Sequence, residues 1–215
     1  MRTIQRPGVD GVRALAGCYT AFILDHLGKY GAMTRIAPLS PGMQVCGPAV
    51  TSLGPDLTVR RMAIDLAQPG DVLVVAAGGV EDYACFGDGT ARRMILKSMA
   101  GAVIDGATRD ARFLRELAFP TFVRAVTPRN YHYPVSAEFG AVNVPIVCGG
   151  VTVHPGDLIV GDDDGVIVIP RESADSLAAI LPQALEAERV KRQAATRYEP
   201  FAVDTELLER GYQFE

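Results

Sequence analysis

The stretch PGDVLVVAA at residues 69–77 decides the class of fold. Its Pro-Gly-Asp turn leads into an apolar, valine-rich run, Val72 to Ala77, which is too short for a helix and has the composition of a strand buried on both faces. Strands of this kind occur mainly in parallel sheets that helices cover on both sides. The stretch therefore predicts an α/β protein with a parallel sheet.

The sequence after this strand alternates between helical and extended patterns. In order, it predicts a Gly-rich acidic loop at 78–82, a helix from Gly89 to Met99 ended by Gly101, a buried strand over Ala102 to Asp105, a short helix over Asp110 to Leu117 and a strand over Thr121 to Val126. Strand, helix, strand, helix, strand is the order typical of a parallel sheet with crossover helices.

The flanking regions complete one predicted domain, 1–199, and a tail, 200–215. Before the central strand we expect one amphipathic helix within Val9 to Gly28, a strand over Val45 to Val50 and a short strand around Leu57 to Val59. After it we expect strands over Val142 to Val147, Leu158 to Val160 and Val166 to Ile169, a turn at Gly149-Gly150, and a long helix from Glu172 to Glu199 that contains Pro182. Asp162 to Gly165 favours a hairpin turn over a calcium loop, which needs further ligands. The tail could pack on a neighbouring subunit.

Length, composition and charge limit the partners. The chain has 215 residues, 48% of them apolar and 21% charged, which is the composition of an ordinary folded domain. A formal charge of -4 gives no field that would draw the protein to nucleic acid or an anionic membrane. No apolar stretch approaches the roughly 18 residues that span a bilayer, and the N-terminus has no secretory pattern. From these features we expect a cytoplasmic protein without nucleic-acid or membrane partners. Its four cysteines are scattered, with no CxxC pair, so we expect them to be reduced.

A first candidate site lies where the helix after the central strand begins. Asp88 stands between Gly87 and Gly89, and glycine lets the backbone approach a ligand closely. The first-turn amides of Gly89, Thr90 and Ala91 would then form an anion site for a carboxylate or phosphate. The alternative is that Asp88 only caps its helix.

A second candidate site follows the next predicted strand. Arg109 and Asp110 come just past Asp105, and ligands of an open α/β sheet gather at the carboxyl ends of its strands. We therefore expect Asp88 and Arg109, with 20 residues between them, at the same rim of the sheet. Arg109 suits a substrate carboxylate and Asp110 a hard divalent cation, but a structural ion pair between the two is equally compatible with the sequence.

These motifs together resemble one family of proteins. Gly87-Asp88 and Arg109-Asp110 are accompanied by Asn143-Val144-Pro145, Pro155-Gly156-Asp157 and Asp162-Asp163-Asp164-Gly165-Val166. The set is similar to that of the 4-hydroxy-4-methyl-2-oxoglutarate and 4-carboxy-4-hydroxy-2-oxoadipate aldolases, a family that includes the regulator of ribonuclease activity A. The similarity covers roughly Leu15 to Glu199.

The resemblance implies a swivelling β/β/α domain with a C-terminal helix and tail. It also implies homotrimers or homohexamers with active sites between subunits. A small 2-oxo acid would be bound through its carboxylate by Arg109, helped by the backbone at Gly87, Gly89 and Thr90. Arg109 and Asp88 would be the catalytic side chains.

The resemblance further implies a divalent metal, Mg²⁺ or Mn²⁺. Asp110 would ligate it, and Asp88 would hold a water molecule on it. A glutamate from the C-terminal helix of an adjacent subunit would complete the outer shell, at Glu188 or alternatively at Glu186. The other interpretation of Glu188 is an exposed ion pair with Arg192, four residues later on the same helix.

The implied activity is that of a metal-dependent aldolase. It would cleave a 4-hydroxy-2-oxo acid to pyruvate and a second oxo acid, with oxaloacetate decarboxylation as a side activity. A Schiff-base route needs a desolvated lysine, and only Lys97 lies in the core section, which favours the metal route. The alternative function, from the other branch of the family, is a non-enzymatic protein that binds and inhibits a ribonuclease.

Two features depart from the family pattern. Phe113 stands where many relatives carry an acidic residue, three positions after Asp110. The loop from Pro128 to Tyr133 is longer than expected, and His132 within it could face the ligand or join a surface aromatic cluster. Both features leave the identity of the oxo acid open.

Overall fold

The computed structural model describes residues 4–131, 140–194 and 205–213. Strands and helices alternate through the middle of the chain, as the α/β prediction requires. The elements are α1 (Val9–Leu15), α2 (Thr20–His26), β1 (Ala37–Pro38), β2 (Val45–Leu53), α3 (Leu57–Leu66), β3 (Val72–Phe86), α4 (Asp88–Leu96), β4 (Gly101–Thr108), α5 (Ala111–Glu116), β5 (Thr121–Val126), β6 (Ala141–Val142), β7 (Ile146–Cys148), β8 (Val151–Val153), β9 (Leu158–Asp162), β10 (Gly165–Ile169), α6 (Arg171–Ala194) and α7 (Thr205–Glu209).

A mixed sheet with four parallel central strands forms the centre of the fold. Its strands lie in the order β1-β5-β4-β3-β2-β9-β10, and β6 also pairs with β2. The four strands β2 to β5 are parallel neighbours, whereas β1, β6, β9 and β10 join the sheet antiparallel. The run from Val72 to Ala77 begins β3 and is buried throughout, because strands flank it on both edges and other elements cover its faces. The predicted central strand and the strand-helix alternation are confirmed.

The N-terminal pattern forms two helices, not the single helix predicted between Val9 and Gly28. The first ends at Leu15, and the second begins at Thr20. The backbone N–H and the hydroxyl of Thr20 each donate to the carboxylate of Asp162 at 2.7 Å, which fixes a new helix start. Since the two residues are 142 positions apart, the local spacing of apolar residues could not show this contact.

The short strand predicted around Leu57 to Val59 is wrong. These residues begin α3, and the carboxylate of Asp56 caps this helix by accepting the N–H groups of Thr58 at 2.6 Å and Val59 at 3.3 Å. The prediction rested on three residues, which are fewer than one helical turn, so their composition could not distinguish a helix from a strand.

The central strand continues through the residues predicted as a loop at 78–82. It remains extended to Phe86, but its pairing with β4 shifts register after Ala76. Gly78 and Gly79 adopt φ values of 75° and 72°, which glycine reaches without a steric cost. The glycines therefore mark an irregular strand and not its end.

The next helix and strand differ from the prediction only in their boundaries. The helix predicted from Gly89 to Met99 is α4, which begins one residue earlier and ends at Leu96. Gly101 is the first residue of β4 and does not end the helix, because the chain already turns at Ser98, with φ of 54°. The predicted helix and strand that follow are confirmed as α5 and β5.

Of the strands predicted after residue 139, those over Leu158 to Val160 and Val166 to Ile169 are confirmed as β9 and β10, each slightly longer than predicted. The strand expected over Val142 to Val147 is interrupted at Asn143, whose φ is 57°, so β6 pairs with β2 and β7 with β8. The turn at Gly149-Gly150 is confirmed and connects β7 to β8, a strand that was not predicted. The turn over Asp162 to Gly165 is also confirmed, since it joins the antiparallel pair β9 and β10.

The chain forms two compact units, Met1–Pro182 and Gln183–Glu215. The long C-terminal helix is confirmed as α6, with Pro182 inside it. Its predicted final residues, 195–199, lie outside the described residues, so the predicted boundary at residue 199 stays a prediction. None of the helices in the described ranges combines the length and apolarity that crossing a membrane requires.

Candidate active site

The loop between β3 and α4 presents backbone N–H groups at a helix start. Gly87 is the N-cap residue, with extended backbone, and α4 begins at Asp88. The N–H groups of Thr90 and Ala91, which were predicted to be free, both donate to the carbonyl of Gly87, at 3.1 and 3.2 Å. Within the described residues no acceptor takes the N–H of Asp88 or of Gly89. The predicted anion site is therefore shifted by one residue toward the N-terminus.

The side chain of Asp88 does not cap α4, so the capping alternative is wrong. Its Oδ2 accepts a hydrogen bond from Nε of Arg92 at 3.1 Å, one turn further along the helix. About a third of the Asp88 side chain remains exposed, at 31%. Asp88 therefore stands at the mouth of the loop with room for a further partner.

Arg109 and Asp110 are held beside this loop by the end of β4. The N–H of Arg109 donates to the carbonyl of Phe86 at 3.0 Å, and the hydroxyl of Thr108 donates to the same carbonyl at 3.1 Å. These bonds join the carboxyl ends of β3 and β4. Asp110 then adopts the left-handed conformation, with φ of 58°, before α5 begins.

Gly87 lies directly against the Arg109 and Asp110 side chains. A Cβ atom on Gly87 would be 2.7 Å from Oδ2 of Asp110 and 3.3 Å from Cγ of Arg109, so this contact needs glycine. Nε of Arg109 lies 3.4 Å from Oδ2 of Asp110, which shows that the ion pair considered from the sequence is present. Both side chains stay partly exposed, at 43% and 29%, so the pair does not exclude a ligand.

These residues share one pocket of about 400 Å³. The structure thus brings together Asp88 and Arg109, as the sequence predicted. The pocket also includes residues that the sequence analysis did not select, namely Leu57, Arg60, Arg61, Ala84, Cys85, Phe86, Arg93 and Asn130. Arg60 and Arg61 were missed because α3 was not predicted and its position beside the pocket depends on how this helix packs. Arg93 could have been found, since it lies four residues after Gly89 and therefore on the same helix face.

Cys85 lines the pocket but is not suited to act as a nucleophile. Burial raises the pKa of its thiol, and the nearby charge of Arg60 lowers it by less. The thiol therefore stays protonated at neutral pH, and the thiolate is the nucleophilic form.

The carboxylates of the pocket fit a hard divalent cation. Asp88 and Asp110 both supply oxygen, the donor that Mg²⁺ and Mn²⁺ prefer. In each carboxylate Oδ2 faces an arginine, while Oδ1 takes no partner from the described residues. No third His, Cys, Asp or Glu within the described ranges joins them in a metal-binding group. A cation here would need further ligands from water or substrate, which is usual for Mg²⁺.

The predicted outer-shell glutamates belong to the second compact unit. Oε1 of Glu188 accepts a hydrogen bond from Nε of Arg192 at 3.1 Å, and Oε2 of Glu186 accepts one from Nη1 of Arg189 at 3.4 Å. The ion pair that was the alternative interpretation of Glu188 is thus present. A role of Glu188 toward an adjacent subunit stays a prediction.

The other residues considered from the sequence are Lys97, Phe113 and the loop from Pro128 to Tyr133. Lys97 donates from Nζ to the carbonyl of Asp65 at 3.0 Å and does not line the pocket. Phe113 is half-exposed, at 48%. Within the longer loop, Asn130 reaches the pocket, whereas His132 lies outside the described residues.

The chain is similar in sequence to proteins of one family. A family model described as "RraA-like: Aldolase/RraA" matches residues 20–168. A Halalkalibacterium halodurans protein named "Putative 4-hydroxy-4-methyl-2-oxoglutarate aldolase" is 41% identical over 173 residues, which cover 79% of this chain and 80% of that protein. The 4-hydroxy-4-methyl-2-oxoglutarate aldolase of Thermus thermophilus is 34% identical over 115 residues, 54% of this chain and 68% of that protein.

A solved structure shows the same fold. It is that of Streptomyces coelicolor RraAS2, described as an unusual member of the RNase ES inhibitor RraA protein family. It superposes with a TM-score of 0.78 at 35% identity and covers 88% of this chain and 100% of its own. The chain belongs to the RraA-like family, which includes aldolases and RraA proteins, and the predicted fold class is confirmed.

Proposed function

We propose that the protein is a divalent-metal-dependent lyase that cleaves 4-hydroxy-2-oxo acids to pyruvate and a second oxo compound. The observation that carries this proposal is the contact of Gly87 with Arg109 and Asp110, beside two free amides of α4. A guanidinium, a carboxylate and helix amides at one pocket mouth suit a small anion that is held next to a cation. The aldolase names of relatives at 41% and 34% identity support the same class of reaction.

Binding of the substrate uses the positive groups of the pocket. Arg109 holds the carboxylate of the 2-oxo acid, and the free amides of Asp88 and Gly89 donate to the same anion. The N–H of Thr90 already donates to the carbonyl of Gly87. Thr90 also lines the pocket, so it contacts the substrate through its hydroxyl group instead. This arrangement fixes the pyruvyl half of the substrate.

A cation would be held by Asp110 directly and by Asp88 through water, and it would supply Lewis-acid polarisation of the 2-oxo group. Asp88 accepts, through a water molecule, the proton of the C4 hydroxyl group. The bond between C3 and C4 then breaks, its electrons form the enolate of pyruvate, and C4 becomes the carbonyl carbon of the second product. Asp88 then returns the proton through the water molecule to C3, which completes pyruvate. Oxaloacetate would lose CO₂ through the same enolate.

The test is pyruvate release from 4-hydroxy-4-methyl-2-oxoglutarate and from oxaloacetate, before and after treatment with EDTA. We expect activity that EDTA abolishes and that Mg²⁺ or Mn²⁺ restores. Arg109→Ala should lower kcat/KM by at least about a hundredfold, since it removes a bidentate charge-assisted contact. Arg112→Gln, an exposed arginine paired with Glu116 outside the pocket, serves as the control. Full activity without metal would refute the metal role.

A second candidate function is inhibition of a ribonuclease. The observation in its favour is the likeness to RraAS2, which is described as a member of an RNase ES inhibitor family. Titration of the protein into an RNase E-type cleavage assay tests it. Inhibition that persists in Arg109→Ala, without pyruvate release by the unchanged protein, would favour this function over the lyase.

We further propose a homotrimer or homohexamer with sites between subunits. The support is the family membership. In such an assembly the tail would pack on a neighbouring subunit, and Glu188 would complete the outer shell of its site. Light scattering gives the mass of the assembly, and loss of activity in Glu188→Gln without loss of assembly would support the shared site.

A further inference from the structure

The segment that follows β5 crosses from β4 to β3 beside the candidate pocket. At its start the N–H of Thr127 donates to the carbonyl of Thr108, the last residue of β4, at 2.9 Å. Further along, the N–H of Ala84 donates to the carbonyl of Arg129 at 2.8 Å, and the N–H of Tyr131 donates to the carbonyl of Ala84 at 3.1 Å. Backbone hydrogen bonds therefore attach both ends of this segment to the sheet.

Asn130 is the residue that these bonds place beside Ala84. The two bonds of Ala84 go to the neighbours of Asn130 on either side, which pairs Asn130 with Ala84 as in parallel strands. The rings of Tyr83 and Tyr131 also contact each other, with their centroids 4.8 Å apart. The backbone of Asn130 is thus held in place, as a residue that contacts a substrate requires.

The side chain of Asn130 is free to bind a ligand. It is exposed and lines the same pocket as Asp88 and Arg109, and it forms no hydrogen bond with any residue in the described ranges. The other neutral polar side chains that line the pocket within those ranges are Thr90, which is placed at the substrate carboxylate, and Cys85, whose thiol is a weak donor. Asn130 therefore suits a neutral, hydrogen-bonding part of the substrate.

The pairing with Ala84 places Asn130 within reach of a molecule bound at Arg109. Phe86, whose carbonyl accepts the N–H of Arg109 at 3.0 Å, follows Ala84 by two residues on β3. A strand rises about 3.3 Å per residue, so these two attachment points lie about 7 Å apart along the strand. A small acid whose carboxylate is on Arg109 can thus present its other end to Asn130.

A hydrogen-bond donor near C4 of the substrate affects the two proposed reactions differently. When the bond between C3 and C4 of a 4-hydroxy-2-oxo acid breaks, the C4 oxygen loses its proton and becomes more negative. A donor at this oxygen stabilises the transition state more than the bound substrate. In oxaloacetate C4 is a carboxylate that leaves as neutral CO₂, so a donor there mainly stabilises the bound substrate and gives no acceleration.

We propose that the side-chain amide of Asn130 donates a hydrogen bond to the C4 oxygen of the substrate. It thereby favours cleavage of 4-hydroxy-2-oxo acids over decarboxylation of oxaloacetate. Nδ2 of Asn130 is the donor, and the proton of the hydroxyl group passes through water to Asp88. The inference rests on the proposed lyase function and deepens it, because it assigns the residue that recognises the hydroxyl group.

The ratio of the two activities in variants of Asn130 tests this assignment. We expect Asn130→Ala to lower kcat/KM for 4-hydroxy-4-methyl-2-oxoglutarate by roughly tenfold to a hundredfold, and oxaloacetate decarboxylation to change within about twofold. Asn130→Gln keeps the amide and should recover part of the loss. Arg129→Ala is the matched control, because Arg129 is exposed, precedes Asn130 and does not line the pocket. It should change neither activity.

A ligand without the hydroxyl group provides a second measurement. 4-Methyl-2-oxoglutarate differs from the substrate only in this group and should inhibit oxaloacetate decarboxylation. We expect its inhibition constant to be the same within about twofold in Asn130→Ala, since no hydrogen bond to it is lost. Circular dichroism of each variant checks that it is folded.

The outcomes distinguish this proposal from the lyase function. If the unchanged protein is active and Asn130→Ala lowers both activities equally, or lowers neither, the lyase function stands and the role of Asn130 is wrong. Weaker inhibition by 4-methyl-2-oxoglutarate in Asn130→Ala would also contradict that role. If the unchanged protein releases pyruvate from neither compound, the lyase function itself is wrong, and the role of Asn130 is wrong as well.

Discussion

Replacing Gly87 by alanine should displace the Asp110 carboxylate and so impair the site without unfolding the protein. The added Cβ would be 2.7 Å from Oδ2 of Asp110, whereas ordinary contacts begin at 3.4 Å, so this oxygen must move by about 0.7 Å. The backbone at Gly87 is extended, with φ of -174°, and accepts alanine without strain. A misplacement of about 1 Å in a catalytic group costs on the order of a hundredfold in rate, and we expect kcat to fall roughly tenfold to a hundredfold.

The stability of this variant should change little. Asp110 is partly exposed and can give way, so we expect a loss of about 1 kcal/mol in the free energy of unfolding, at the low end for overpacking. The assays are pyruvate release and urea denaturation. Gly17→Ala is the control, because its Cβ would meet only the carbonyl of Ala14, at 3.8 Å. Gly87→Ala with unchanged kcat would refute the assignment of Asp110 to the reaction.

Three further predictions concern stability. Asp105→Asn removes the anionic partner of the Arg124 guanidinium, which is only 12% exposed. It should lower the free energy of unfolding, measured by urea denaturation, by about 3 kcal/mol. Asp56→Ala removes the cap of α3 and should cost about 1 kcal/mol; an unchanged melting temperature would contradict the capping role. Burial raises the pKa of Cys46 from 9.0 to about 12, so the folded protein keeps a proton that the unfolded chain loses. Stability should therefore fall as the pH rises from about 9 towards 12, and Cys46→Ala should weaken this fall.

The parts of the fold that local patterns determine were predictable. A valine-rich run bounded by a turn specified the central strand, and the alternation after it specified the parallel sheet. The errors arose where a distant contact decides the structure. The carboxylate of Asp162 accepts hydrogen bonds at the start of α2, although the two lie 142 positions apart in the chain. The left-handed conformation of Asn143 interrupts a stretch whose composition predicts a single strand.

The candidate site was likewise predictable only where local patterns determine it. Asp88 and Arg109 were placed together because both follow parallel strands, and the carboxyl ends of such strands lie at one edge. The availability of individual amides could not be predicted, since it depends on how tightly the first turn of α4 closes on the Gly87 carbonyl. Arg61 was missed because the position of α3 over the pocket depends on the packing of the whole domain.

A crystal structure with Mn²⁺ and pyruvate would show whether the pocket binds both. We expect an anomalous manganese peak on the Asp110 carboxylate, with the pyruvate carboxylate on Arg109 and on the free amides of Asp88 and Gly89. Manganese bound elsewhere, or pyruvate bound away from Arg109, would contradict this expectation.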